Sequence, residues 1–211
     1  MGVRPAGVLR LGRRRFEPWQ LLVMAVAPGV GSDPAVAMEW VHSAVAEGAD
    51  IVEVPGVPSV APFVATVRDA YPELVIRVRT GRGEVAREAC AAGADLLSDS
   101  GLLFGMAAEF GVGVVGSLTE AARAVEAGVR PERVIVEGSR QVADLVASGW
   151  PVLVSLSDSD LAGDLARAAV FGWLGARVFR VQRVRETRRA LRMVSAIRGD
   201  IPPAYAVRGL A

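Results

Sequence analysis

Two carboxylates and a set of arginines sit where short apolar runs end, and these are the side chains best placed to do chemistry. Glu53 follows DIV, Arg79 closes LVIRVR, Glu137 closes RVIVE, and Arg180 lies within RVFRV. A carboxylate can serve as a general acid or base, and a guanidinium fork grips anions through paired N–H donors. Ser98, Asp99, Ser157 and Gln182 end neighbouring runs and add hydroxyl, carboxylate and amide groups. Alternation along a strand puts Arg77 with Arg79, and Arg180 with Gln182, on one face. Two readings are open for this set. The charges could neutralise one another as an ion network, or they could form a site for a polar or anionic ligand. Likewise Ser155, Ser157 and Ser159 could hold an anion at a helix start beside Arg180, or could simply cap that helix.

Absences narrow the chemistry further. All 24 cationic residues are arginine, so lysine-dependent Schiff-base enzymes and Walker-type phosphate loops are excluded. The one histidine, His42, falls mid-helix in MEWVHSAVAEG, and the one cysteine, Cys90, falls inside another helical pattern. A Ser-His-Asp triad or a His/Cys zinc site has nothing to build on, and no metal ligand set is predicted. The formal charge of +1 conceals an asymmetry, with five Arg and one Glu in residues 1–18 and 19 Arg against 22 acids in the rest. No basic groove is implied and no nucleic-acid partner is expected. The Arg-rich residues 1–18 read as a flexible tail. The apolar runs are too broken to span a membrane, and the first residues lack the pattern of a secretory signal. With a single cysteine, a cytoplasmic location is expected.

The elements that must position these residues follow from a repeated phrase. AVAEGADIVE (44–53), EACAAGADLLS (88–98), AVEAGVRPERVIVE (124–137) and WLGARVFRVQ (173–182) each read as helix end, glycine, then a strand closing in polar residues. Strands are predicted at 21–27, 50–54, 74–79, 95–98, 112–116, 133–137, 152–156 and 177–181. Helices are predicted between and after them, at 34–47, 60–71, 84–92, 102–110, 118–127, 139–148, 160–173 and 184–198. Strands this short, apolar and β-branched are buried on both faces. Eight such units close into a compact single-domain (β/α)8 TIM barrel over 19–200, whose function lies at the C-terminal strand ends. Residues 201–211 read as a C-terminal tail. An open doubly wound sheet is the alternative.

Several of these phrases resemble the dihydropteroate synthases, the pterin-binding barrel enzymes of folate biosynthesis. GADIVEVPG (48–56) is similar to that family's GADIIDIGG-like second-strand motif. VIRVRTGRGEVAREACAAGADLLSDSG (75–101) is similar to its SVDT…EVA…AGADIINDVSG pattern. VLVSLSDSD (152–160) resembles VLVGxSRKS, and GARVFRVQRVRETRRALRMVSAI (175–197) resembles GAxIVRVHDVxETxxAL. The similarity runs in order from about residue 20 to residue 198. It implies a (β/α)8 fold, a transferase joining a pterin pyrophosphate to 4-aminobenzoate, magnesium bound with the pyrophosphate, and a homodimer.

The departures from that pattern fall on the chemistry. The first-loop NVTPDSF is APGVGSD here, without the asparagine tied to magnesium, so no cofactor is expected. The pterin-gripping aspartate of SVDT is Arg79, and the asparagine of IND is Ser98. DPGIGF has shrunk to VEGS, leaving Glu137 as the carboxylate in register, and the lysine of SRK is Ser159. Arg180 is kept, the histidine of RVH has become Gln182, and ESTRPG is missing. An arginine presents donors to the N–H donors of a pterin, and each polar group left unpaired costs about 1–3 kcal/mol. The resemblance therefore implies a degenerate member, a pseudoenzyme that has lost the transferase activity. Two alternatives stay open: an enzyme with a rebuilt mouth acting on another anionic or phosphorylated substrate, and family activity retained with the help of a partner chain.

Overall fold

A computed structural model describes residues 7–27, 33–98, 101, 103–156 and 160–202. An antiparallel hairpin of β1 (Leu9–Leu11) and β2 (Arg14–Phe16) comes first. Strands and helices then alternate: β3 (Leu22–Val26), α1 (Pro34–Ala46), β4 (Ile51–Pro55), α2 (Val60–Ala70), β5 (Val75–Arg79), α3 (Gly83–Ala91), β6 (Leu96–Ser98) and α4 (Phe104–Phe110). The second half continues with β7 (Gly113–Gly116), α5 (Leu118–Glu126), β8 (Val134–Glu137), α6 (Val142–Ala147), β9 (Val152–Leu156), α7 (Leu161–Leu174), β10 (Val178–Val181) and α8 (Val184–Ile197). Strands β3 to β10 pair in parallel and in sequence, and β10 returns to β3, so the sheet closes into a barrel. The expected (β/α)8 fold is borne out, and the open sheet is set aside.

Alternation along the strands divides the core in two. Val52, Val54, Ile76 and Val78 face outward onto the helices, together with Val64, Val67 and Ala89. Leu22, Met24, Ile51, Val75, Ile135 and Leu153 face inward and fill the barrel. Two residues beyond this inner layer come Glu53, Arg77, Ser98, Glu137, Ser155 and Arg180 on β4, β5, β6, β8, β9 and β10, which places those side chains at the mouth.

The repeated Gly-Ala-Asp phrase is a fastening device at the opposite end. The carboxylate of Asp50 accepts from the backbone N–H of Val23 at 2.9 Å, and that of Asp95 from the N–H of Ile76 at 2.9 Å. An arginine from a helix clamps each one. Arg188 bonds Asp50 and donates to the carbonyls of Gly48 and Leu21, and Arg68 bonds Asp95 and donates to those of Gly93 and Leu74. Gly48 and Gly93 have φ of 100° and 109°, a left-handed conformation that glycine adopts without penalty. A Cβ at either would also press on the arginine stem, at 3.3 and 3.2 Å.

The reading of residues 1–18 as a flexible tail is corrected over residues 7–18; residues 1–6 lie outside the described residues. Leu9, Leu11 and Phe16 are fully buried and join the cluster inside the barrel. Arg177 pins the hairpin by donating to the carbonyls of Gly7 at 2.8 Å, Phe16 at 3.3 Å and Glu17 at 2.6 Å. Burial pushes that guanidinium down to about 10. Room for the plug comes from Gly113 on β7, where a Cβ would lie 3.1 Å from a methyl of Leu11. Charge misled the sequence reading. The informative signal was Leu9-Arg10-Leu11, whose period-two alternation marks a half-buried strand.

The predicted helices at 102–110 and 139–148 start later than expected, at Phe104 and Val142. Gln141, with φ of 51°, holds the turn open before α6. Trp40 and Trp150 pack on the core, whereas Trp19 and Trp173 stay exposed. No helix among the described residues is long and apolar enough to cross a membrane. Cys90 is buried, and burial pushes its thiol up to about 11.

Candidate functional site

Strand register brings the charged residues to one level. Glu53 on β4 pairs beside Arg77 on β5, and Arg180 on β10 lies between Met24 on β3 and Ser155 on β9. Ile51 and Val75, two residues earlier on their strands, line the barrel interior, so Glu53 and Arg77 point inward one layer higher.

Glu53 is the hub, only 2% exposed. Its Oε2 forms an ion pair with Arg77 Nη1 at 2.9 Å and accepts from Arg180 Nε at 3.0 Å. Its Oε1 accepts from Arg180 Nη2 at 2.7 Å, and Arg79 Nε lies 3.5 Å away. Burial works to raise this carboxyl, but hydrogen bonding from Arg180 and the charges of Arg77, Arg180 and Arg79 outweigh it and hold it below its ordinary value. Arg77 is equally enclosed, and burial pushes its guanidinium down against the opposing pull of Glu53 and Glu137. Hydrogen bonding to Glu53 raises Arg180.

A second carboxylate, Glu137, sits across the mouth on β8. It accepts from Ser155 Oγ at 3.2 Å and lies 3.6 Å from Arg77 Nη2, with its side chain 40% exposed. Arg77 Nη2 also reaches Ser98 Oγ at 3.4 Å, and Nη1 lies 3.5 Å from Met24 Sδ. Among the described residues, three guanidinium groups thus meet two carboxylates in this network.

Of the residues singled out from sequence, Glu53, Arg79, Ser98, Glu137 and Arg180 are brought together. Gln182 follows β10 as an exposed residue outside this network. Asp99, Ser157 and Ser159 lie outside the described residues. Arg79 reaches Glu53 only at 3.5 Å and leaves 60% of its side chain exposed. Arg77 fills the interior instead, and it was not among the candidates. Its signal was an arginine flanked by valine and isoleucine within VIRVR, two residues before Arg79. Among the described residues no group of three or more His, Cys, Asp or Glu side chains could hold a metal ion. A cavity of about 290 Å³ opens elsewhere, against the C-terminal ends of α4 and α5. It is lined by Phe110, Arg130 and Arg133 and takes in none of the mouth residues.

This architecture has counterparts among known proteins. The inactive dihydropteroate synthase 2 of Mycobacterium tuberculosis (strain H37Rv) is 36% identical over 260 aligned positions, covering 87% of this chain and 82% of the relative. The protein of the same name from Mycobacterium leprae is 36% identical, covering 81% of this chain and 85% of its own length. The chain belongs to the dihydropteroate synthase family. No protein-family model matches it. Among solved structures, Mycobacterium tuberculosis Rv1207 superposes with a TM-score of 0.82 at 38% identity, over 92% of this chain and 99% of that one. A Coxiella burnetii dihydropteroate synthase in complex with pteroic acid gives a TM-score of 0.78 at 21% identity, over 92% and 99% of the two chains. That second likeness speaks for the fold alone.

Within the dihydropteroate synthase family this is a shortened chain. An alignment of 260 positions exceeds the 211 residues present, so the Mycobacterium tuberculosis relative carries segments with no counterpart here. The turn from β4 to α2 is short, with only residues 56–59 between the two elements.

Proposed function

We propose that this chain is a non-catalytic member of the dihydropteroate synthase family, with the barrel kept as a scaffold and the pterin chemistry gone. One observation carries the reading. Both oxygens of the buried carboxylate Glu53 are already taken by Arg77 and Arg180, and Arg79 stands on the strand where the resemblance implies a pterin-pairing aspartate. A pterin ring entering this mouth would set its N–H donors against guanidinium donors. The names of the mycobacterial relatives, inactive dihydropteroate synthase 2, point the same way.

The scaffold reading includes self-association and a cytoplasmic location. Trp173 and Val170 on α7 are 60% and 56% exposed, more apolar surface than a helix packed only on its own barrel should leave to water. Cys90 is a buried free thiol of the kind a reducing compartment preserves.

The test is pteroate formation by the purified protein from dihydropterin pyrophosphate and 4-aminobenzoate, with magnesium supplied. The expected result is no product above the uncatalysed background. Turnover near the ~10 per second typical of enzymes would overturn the proposal.

A further inference from the structure

We propose that the end of the barrel opposite the mouth carries a ligand site, where Arg130 and Arg133 hold a phosphate group, free or borne by a small molecule. It goes beyond the reading above, which concerns the mouth, and stands whatever becomes of pterin chemistry. The site is the cavity of about 290 Å³ against the C-terminal ends of α4 and α5. Both arginines line it, and Phe110, Val112 and Val129 supply apolar wall, a lining suited to a small ligand. A 3-10 turn, Pro131–Arg133, brings the two arginines together. The N–H of Arg133 donates to the carbonyl of Arg130 at 2.9 Å, and side chains three apart in such a turn eclipse one another.

Arg133 differs from its counterparts at this end of the barrel. Arg188 lies against Gly48 and Arg68 against Gly93, and each donates to that glycine's carbonyl and to the aspartate two residues on, Asp50 or Asp95. Gly111 is the equivalent glycine at the end of α4, and Arg133 Nη1 lies 3.1 Å from where its Cβ would stand. Two residues on, however, comes Gly113, and the guanidinium of Arg133 makes no hydrogen bond or ion pair among the described residues. Arg77 and Arg177 also bury an unpaired Nε, but their Nη groups are committed, to Glu53 and Ser98 in one case and to the carbonyls of Gly7 and Glu17 in the other. The carboxylates near Arg133 are engaged or apart. Glu109 gives both oxygens to Arg87, at 2.9 and 3.0 Å, and Asp95 is held by Arg68. Burial first, then the charge of Arg130, push the Arg133 guanidinium down; Glu132 and Asp95 pull against this, and Arg10 adds to it. A bound anion would relieve that repulsion. Two forks on one turn suit a phosphate, which has oxygens for both, better than a carboxylate, which one fork fills.

The experiment titrates the full chain with inorganic phosphate, glycerol phosphate and acetate, with ionic strength held constant by chloride, followed by ligand-observed NMR and by melting temperature. Both phosphates should bind saturably and raise the melting temperature, and acetate should bind more weakly than either. The tighter of the two phosphates names the source, a monoester or the free ion. Arg130 is exposed, so Arg130→Gln should melt like the parent without ligand. It should weaken phosphate by about tenfold, as loss of a charge-assisted hydrogen bond does, and Arg133→Gln should weaken it at least as much. Arg79→Gln, at the mouth, should leave phosphate affinity unchanged. No saturable phosphate binding, acetate as tight as phosphate, or unchanged affinity in Arg130→Gln would each overturn the proposal. So would loss of binding in Arg79→Gln, which would place the phosphate at the mouth.

Discussion

Arg77 Nη1 and Glu53 Oε2 form an ion pair at 2.9 Å, and the two side chains are 3% and 2% exposed. A charge pair this enclosed is stable only while both members are present, because removing one strands the other in a poorly solvated interior. Arg77→Met should therefore destabilise the fold by about 3–5 kcal/mol, read by denaturant unfolding. Glu53→Gln should cost at least as much, since it strands Arg77 and Arg180 together. The double substitution Glu53→Gln with Arg77→Met should cost less than the two singles added. Strict additivity would mean that the pair contributes no coupling.

Acid should loosen the barrel through Glu53. Burial opposes ionisation of this carboxyl, but Arg180, Arg77 and Arg79 hold its value below the ordinary 4.5. A carboxyl that is more acidic in the folded state stabilises that state fully above its unfolded value, and the contribution fades as pH falls through the folded one. The melting temperature should therefore drop below about pH 4.5, and Glu53→Gln should make that limb shallower. An acid limb of the same steepness in Glu53→Gln would remove Glu53 as its source.

The barrel was legible because its signals are local. Helix ends marked by glycine and strands closing in polar residues recur at nearly even spacing, and the strand registers then follow from closure. Glu53 and Arg180 were legible for the same reason, as polar residues in apolar runs. Two things were not. The hairpin was hidden because arginine density outweighed the short alternation of Leu9 and Leu11, and its burial depends on Gly113, a hundred residues away in the chain. Arg77 was hidden because a charged side chain in mid-strand goes to the interior only when a carboxylate from the neighbouring strand meets it. That pairing is a matter of register between β4 and β5, which no single window of sequence contains.

The hairpin plug yields a prediction of its own. Phe16 is fully buried within the inner cluster, so Phe16→Ala should cost about 3–5 kcal/mol. Arg177→Met, which would free the carbonyls of Gly7, Phe16 and Glu17, should also destabilise the fold and should expose the segment to protease. Gly12, in the turn of the hairpin, has φ of 56°, and a Cβ there would lie 2.2 Å from an oxygen of Asp95. Gly12→Ala should therefore destabilise as well, although it removes no contact. Melting temperatures unchanged in all three variants would show that the plug contributes nothing to stability.

The outer surface gives the last prediction. Val170, Trp173 and Leu174 on α7 are 56%, 60% and 42% exposed, and Met193 and Ile197 on the neighbouring α8 are 53% and 65% exposed. These two helices pack on each other, so the five side chains belong to one region of the barrel wall. A stable contact between two copies takes about 800 Å² from each, and large aromatic side chains near its centre carry most of the binding energy. Sedimentation velocity at micromolar concentration should show a dimer. Trp173→Glu would place a charge in that apolar region, where burial without a partner is costly, and should return the protein to monomer. Its melting temperature should fall only by the part that association supplies. A parent chain that sediments as a monomer, or a Trp173→Glu variant that still dimerises, would move the interface away from α7 and α8.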